Sequence, residues 1–279
     1  MGSLGPRTRL AAGLRPPGRT RADCADDARV DSRERVLARV RGRFGTTEVV
    51  EGTWDDGRPV RLLTVDGTLQ SATYVDEGWC DPVFDYYVLF DLAFEACPRA
   101  HDLLMLGGGG LGYPKYLLAE RPEVALDVVE ADPAVIRLAR RHFFLGRLLR
   151  ERRRAHLPGP RVVCTDALDF LEGTGRTYDA ILCDCFAAGE APSELAGPKA
   201  ARLYLERLAP QGAFLANVVS AAEGPRARPL RELAATLAAA GFSRVFAAGV
   251  QPGREAEEDN VMLLATRAAL DLPWARRLA

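Results

Sequence analysis

Apolar and polar positions change their period along this chain near residue 100. Before that point, residues 46–50, 60–65 and 69–75 alternate in the short rhythm of strands. Asp55-Asp56-Gly57 and Asp66-Gly67 separate them with turn chemistry. The pattern predicts a small antiparallel sheet. Ahead of it, residues 31–40 predict a short helix starting at Asp31. Residues 1–30 are rich in Arg, Pro, Gly and Ala and lack apolar periodicity, which predicts a flexible tail. After the sheet come Asp81-Pro82 and an apolar helix with Phe84, Tyr86, Tyr87, Phe90 and Phe94, aromatics that read first as core.

From residue 100 onward, short apolar runs alternate with helical stretches. Strands are predicted near 103–106, 126–130, 161–164, 179–183 and 213–218. Helices are predicted near 113–120, 133–144, 198–208 and 228–240, with a closing β-pair at 244–250 and 260–266. This is an α/β pattern: a mostly parallel sheet covered on both faces, with an antiparallel final strand. The chain divides into a tail (1–30), a β-hairpin and helix region (31–97) and an α/β domain (98–279).

Composition narrows the field. A chain of 279 residues with 48% hydrophobic positions builds a sizeable core, and a net charge of −1 gives no general pull toward nucleic acid or acidic membranes. No apolar run is long enough to predict a membrane-spanning helix, and the N-terminus lacks the apolar centre of a secretory signal. The cysteines at 24, 80, 97, 164, 183 and 185 show no zinc spacing, and His101, His142 and His156 show no metal spacing. No metal is expected, and the thiols read as reduced, as in a cytoplasmic protein. The run from Arg137 to His156 holds eight arginines. It reads foremost as a solvated helix face plus a loop, with nucleic acid the lesser reading.

The chemistry concentrates where the strands end. Leu103 to Leu106 runs into Gly107, Gly108, Gly109 and Gly110, with Gly112 beyond, and the next apolar run ends in Glu130, 18 residues after Gly112. Glycines let a ligand approach the backbone, the following helix offers free N–H groups, and an acid at that distance accepts from ribose hydroxyls. Asp166-Ala167 follow the third strand, Asp184 ends the fourth, and Asn217 ends the fifth. Each acid is either a ligand contact or the cap of the next helix, Asp166 above all. Asp184 is the candidate proton acceptor. The loop after it, 187–198, has the turn-rich composition of a substrate-gating loop or an inert connection. Cys164, Cys183 and Cys185 read as core or as residues behind the site.

These residues resemble a known family. Val65-Asp-Gly-Thr-Leu-Gln70, Asp76-Glu77, Leu106-Gly-Gly-Gly-Gly110, Val128-Val-Glu-Ala-Asp-Pro133, Thr165-Asp-Ala167 and Tyr178-Asp-Ala-Ile-Leu-Cys-Asp184 are similar to the motifs of the spermidine synthase family, the polyamine aminopropyltransferases. The likeness covers roughly residues 44–267 and includes the small sheet that separates this family from ordinary methyltransferases. It implies a Rossmann-like class I methyltransferase domain that binds S-adenosylmethionine or its decarboxylated form, with no metal. By the resemblance, Gln70, Gly107, Gly108, Gly109, Glu130, Ala131, Asp166, Ala167 and Asp184 hold the nucleoside. Asp184 and Tyr87 carry the chemistry. Tyr86, Tyr87 and Lys115 face the substrate. The partners implied are a small-molecule acceptor and a second copy in a homodimer, with no membrane.

Three departures shape the expected activity. The family's glycine loop usually carries an aspartate that meets the amino end of the sulfonium substrate; here that position is Gly110. A second family aspartate, which helps bind the diamine, stands three residues after the proton acceptor; here that position is Ala187. The tyrosine expected after Asp76-Glu77 falls near Cys80, with Tyr86 or Tyr87 as replacements. Each lost charge-assisted hydrogen bond is worth roughly 1.5–3 kcal/mol, which disfavours putrescine. Lys115 favours a ligand bearing a carboxylate. The first reading is a divergent, spermidine-synthase-like transferase that moves a methyl or aminocarboxypropyl group to a small molecule, or cyclises that arm. An aminopropyltransferase using decarboxylated S-adenosylmethionine comes next, then a nucleoside-binding module without catalysis.

Overall fold

The computed structural model describes residues 35–186, 194–249 and 253–279. The expected tail at 1–30 and the segment 187–193 of the expected gating loop lie outside them. The chain opens with an antiparallel four-stranded sheet in sequence order: β1 (Arg35–Arg41), β2 (Thr46–Thr53), β3 (Pro59–Val65) and β4 (Thr68–Tyr74). The helix expected over 31–40 is therefore corrected: its described part is strand β1. Pairing with β2 sets this, because the register joins Arg39 to Glu48 and Arg35 to Glu51, and each pair forms an ion pair across the strands. Such cross-strand pairs override a weak local helix preference.

A 3₁₀ turn at Asp85–Asp91 and α1 (Leu92–Ala96) lead into the larger sheet. There β5 (Asp102–Leu106), α2 (Gly112–Glu120), β6 (Ala125–Glu130), α3 (Pro133–His142), α4 (Leu145–Arg154), β7 (Arg161–Cys164), α5 (Ala167–Gly173), β8 (Tyr178–Phe186), α6 (Pro198–Glu206), β9 (Leu208–Ser220), α7 (Arg228–Ala240), β10 (Arg244–Ala248), β11 (Asp259–Thr266) and β12 (Arg276–Arg277) follow in turn. In space the order is β7-β6-β5-β8-β9-β11-β10-β12. The five strands β5 to β9 run parallel, and β11, β10 and β12 close the sheet antiparallel. The predicted α/β class and closing β-pair are both present.

Both faces of this sheet are covered, so its central strands are apolar throughout rather than alternating. Along β5, Leu103 and Met105 enter one core and Leu104 and Leu106 the other. The first core also takes in Val60, Leu69, Ala72 and Tyr74 of the small sheet and the aromatics Phe84, Tyr86, Tyr87 and Phe90. A third cluster packs Val49 and Leu63 of the small sheet on Val135, Leu138 and Phe143. The small sheet is thus clamped onto the rim of the large one. The order in which strands are added reverses between β5 and β8, with β6 and β7 on one side and β9 on the other. Ligands in open α/β sheets bind beyond the carboxyl ends of the strands at such a switch.

The arginine run departs from the sequence reading. It forms the end of α3 and all of α4 rather than a helix and a loop, and Arg152 is buried. Its guanidinium donates to the carbonyls of Leu118, Pro122 and Pro158, holding α4 against the α2–β6 connection. Among the described residues all cysteines are free, and Cys164, expected in the core or behind the site, is exposed at the end of β7. No helix among the described residues is long and apolar enough to cross a membrane, and no group of three or more His, Cys, Asp or Glu is placed to hold a metal.

Candidate active site

The glycine loop closes the β5–α2 turn against three neighbours. Gly107 and Gly109 have positive φ (86° and 47°), which glycine adopts without strain. A Cβ on Gly107 would lie 3.0 Å from both the Asp184 carbonyl oxygen and Cys185 Sγ. One on Gly108 would meet the Val128 side chain at 2.9 Å. Leu111 closes the loop with φ 61°, a strained value for a bulky side chain.

Glu130 ends β6 under this loop. Its Oε2 accepts from the backbone N–H groups of Gly108 (3.1 Å) and Gly109 (2.8 Å), and its Oε1 accepts from the N–H of Asp132 (2.9 Å). The carboxylate therefore fixes the loop while keeping lone pairs for further donors. Burial pushes its pKa up against the lowering effect of these three N–H groups. Ala131 lies between Glu130 and Asp132, and Asp132 caps α3 through Ala134 N–H. Asp132 Oδ2 also accepts from Arg43 N–H at 2.6 Å, so the β1–β2 turn docks on this rim. Asp166 caps α5, accepting from Leu168 N–H at 2.9 Å, and lies 3.7 Å from the Arg43 guanidinium. Ala167 is the buried first residue of α5. The capping role anticipated for Asp166 is present, with its other oxygen directed to Arg43.

Asp184 stands near the end of β8. Tyr86 Oη donates to its Oδ2 at 3.1 Å, and Asn217 Nδ2 donates to its Oδ1 at 3.1 Å. Asn217 also donates to Asn260 Oδ1 at 3.1 Å. Both bonds need the amide nitrogen on that side, which fixes the orientation of the Asn217 amide. Its carbonyl oxygen then has no hydrogen-bond partner among the described residues, although Asn217 is fully buried. A buried acceptor without a donor is disfavoured by about 1–3 kcal/mol. Asn260 and the orphan carbonyl were not legible in the sequence, because β11 joins β9 only through tertiary pairing. Cys183 and Cys185 sit behind Asp184, where their mutual contact and burial hold the Cys185 thiol well above its usual range.

The two tyrosines divide the space. Tyr86 reaches Asp184, while Tyr87 Oη meets Ser71 Oγ at 3.4 Å and its ring faces Gly112, whose Cβ would lie 2.5 Å away. Gln70 sits on β4 beside Ser71, its amide 3.4 Å from the Thr68 carbonyl. Lys115 lies in the first turn of α2 and is fully buried, its ammonium donating to Thr73 Oγ1. At Gly110, the position of the missing family aspartate, a Cβ would lie 2.7 Å from Phe143 and 2.8 Å from Ser71 Oγ. There is no room for a side chain there. Asp76, one of the matched motif residues, is engaged by Arg58 through two bonds of 2.8 and 2.7 Å and braces the loop after β4.

A nucleoside fits this rim: glycines without side chains, an acid with spare lone pairs at Glu130, a capping acid at Asp166 and an acceptor pair at Asp184 and Asn217. No protein-family model matches the chain. Among curated proteins it is 31% identical over 230 residues to polyamine aminopropyltransferase 2 of Streptomyces coelicolor, covering 79% of this chain and 38% of that protein. It is 27% identical over 124 residues to the polyamine aminopropyltransferase of Thermococcus onnurineus, covering 44% of this chain and 40% of that protein. The chain thus spans about two fifths of the length of these relatives. Among solved structures, a probable spermidine synthase from Corynebacterium glutamicum superposes with a TM-score of 0.67 at 20% identity, covering 85% of this chain and 82% of that one. The resemblance to spermidine synthases read from the motifs is present in sequence and in fold.

Proposed function

We propose that this protein is a transferase that uses an S-adenosylmethionine-type sulfonium and passes a methyl or aminocarboxypropyl group to a small-molecule amine or hydroxyl, or cyclises that arm. One observation carries the reading: Asp184, at the topological switch of the sheet and against the glycine loop, accepts from Tyr86 and Asn217, beside an Asn217 carbonyl that has no hydrogen-bond donor among the described residues. An acceptor N–H or O–H bridging these two oxygens satisfies the orphan and delivers its proton to Asp184.

When bound, the sulfonium supplies a carbon activated by positive sulfur, which departs as a neutral thioether. The residues do the rest. Gly107, Gly108 and Gly109 let the nucleoside approach the backbone, and Glu130 and Gln70 take its ribose hydroxyls. Asp166 and Ala167 meet the adenine, and Ala131 lines its pocket beside Glu130. Asp184 accepts the proton as the acceptor's lone pair forms the new bond to carbon. Tyr86 fixes the carboxylate, and Tyr87, packed on Gly112, walls the acceptor. Positioning and exclusion of water supply most of the rate. In this reading the protein works in the cytoplasm, as a homodimer formed through the four-stranded sheet, where Val36 of β1 and Phe44 of the β1–β2 turn are exposed.

Incubation with S-adenosylmethionine and a panel of small amines tests this. S-adenosylhomocysteine as product marks methyl transfer, and methylthioadenosine marks transfer or cyclisation of the arm. Asp184→Asn should bind ligand and form neither. A variant that keeps full cellular function while bound to nucleoside would leave a non-catalytic module instead. The second reading, an aminopropyltransferase using decarboxylated S-adenosylmethionine, is favoured by the names of the curated relatives. It predicts turnover only with the decarboxylated sulfonium.

A further inference from the structure

Lys115 is a cation in the wrong company. It is 1% exposed, and no acid among the described residues contributes to its electrostatic environment. Its ammonium donates to the Thr73 hydroxyl, which in turn lies within donating distance of the Tyr74 and Trp79 carbonyls. The Phe144 ring covers it, with the centroid 5.7 Å from Nζ. A buried ammonium has three donors to satisfy and a large desolvation penalty when unpaired. Cys80 is the titratable group felt by Lys115; on α4, Arg147 stacks on Trp79 and Glu151 lies near Cys80.

Its location says what would complete it. Lys115 is three residues beyond Gly112, so the two share a face of α2. Thr73 is two residues along β4 from Ser71, so those two share a face of the strand, about 7 Å apart. Ser71 itself borders the loop, 3.5 Å from where a Gly109 Cβ would lie and 2.8 Å from one on Gly110. The ammonium therefore lies one strand step from the glycine loop. At that loop Phe143 and Ser71 fill the space that a side chain on Gly110 would need. Glu130, the acid beneath the loop, is engaged by the Gly108, Gly109 and Asp132 N–H groups, and Lys115 is the enclosed base on α2, the helix that follows the loop.

We propose that Lys115 is the receptor for the carboxylate on the amino-acid arm of the sulfonium, and so selects intact S-adenosylmethionine over its decarboxylated form. This rests on the nucleoside reading above and specifies its substrate class. In the free protein burial drives the lysine pKa down to about 7, so the amine is largely neutral in mildly alkaline solution. A carboxylate ligand restores the ammonium, and binding takes up a proton.

Calorimetric titration of the full chain at pH 8, in two buffers of different ionisation enthalpy, tests this with three ligands: methylthioadenosine, S-adenosylmethionine and decarboxylated S-adenosylmethionine. The wild type should bind the intact sulfonium about tenfold or more tighter than the decarboxylated one, the scale of a charge-assisted hydrogen bond. It should take up close to one proton only with the intact form. Lys115→Met should keep its affinity for methylthioadenosine within about threefold while losing both the preference and the proton uptake. Preference for the decarboxylated form, or uptake unchanged in Lys115→Met, overturns the inference while methylthioadenosine binding leaves the nucleoside site standing. Failure of all three ligands to bind overturns both. Should Lys115→Met not fold, the wild-type preference and proton uptake decide alone.

Discussion

Asp127 and Asp184 lie on strands of the same sheet and are held in opposite ways. Asp127, on β6, is 4% exposed and takes two guanidiniums and a phenol: Arg161 at 2.9 and 2.5 Å, Arg176 at 3.0 Å and Tyr178 at 2.8 Å. Burial works to raise its pKa, but these donors outweigh that and hold the carboxyl below its usual range. Asp184 accepts from a phenol and an amide, Tyr86 Oη and Asn217 Nδ2, each at 3.1 Å. A carboxylate neutralised by two arginines is a structural fastener with no affinity left for a proton or a substrate cation. One that accepts from a phenol and an amide is oriented by them toward an incoming group. The start of the sheet is fastened by arginines, and at its carboxyl rim Tyr86 and Asn217 orient the acid.

Exchanging the charges tests this contrast. Asp184→Asn should lower turnover by roughly two to four orders of magnitude, with nucleoside affinity and melting temperature nearly unchanged; loss of the fold instead would break the comparison. Lys115→Met carries the contrast to a cation. Its folded pKa of about 7 lies below the ordinary 10.5, so between these values the unfolded chain holds a proton that the folded protein has shed. The destabilisation is complete below pH 7 and fades as pH rises toward 10.5. The variant should therefore be more stable than wild type by on the order of 3 kcal/mol at pH 6 and by little near pH 10, measured by denaturant unfolding. Asp127→Asn should cost about 2–3 kcal/mol of stability and leave ligand affinity alone, the reverse of the Asp184 variant. The smallest effect is expected of Arg43→Ala. Its half-exposed pairing with Asp166 is worth less than about 1 kcal/mol, and its removal should leave nucleoside affinity equal or slightly better by competition for Asp166.

Much of the fold was legible because the parallel strands are apolar on both faces and the glycine turn punctuates them. Strands β5, β6 and β7 fall within a residue of their predicted bounds, while β9 extends well beyond its prediction, to Leu208–Ser220. Strand β1 was misread because its stability comes from β2, outside any local window. Arg152 was misread because its charge is satisfied by three carbonyls, one at the end of α2 and two in the following connections, that only the tertiary fold brings to it. At the site, Glu130, Asp166 and Asp184 were visible as polar residues ending apolar runs. The division of labour between Tyr86 and Tyr87 was not, since adjacent residues in a 3₁₀ turn diverge by an angle that sequence does not reveal. Ser71, Thr73 and Phe143 were likewise unmarked; they matter through what they press against.

Phe143 makes the glycine at 110 conditional on its neighbour. An Asp at 110 would drive its Cβ into the Phe143 ring and the Ser71 hydroxyl, so the single change should be destabilising by about 1–3 kcal/mol. The same change made after Phe143 is trimmed has space to enter. The two positions are therefore epistatic: a route from this loop to an acid-bearing one passes through the α3–α4 link first, and in the reverse order it meets a barrier. A library that varies 110 and 143 together would recover combinations that scanning either position alone would discard.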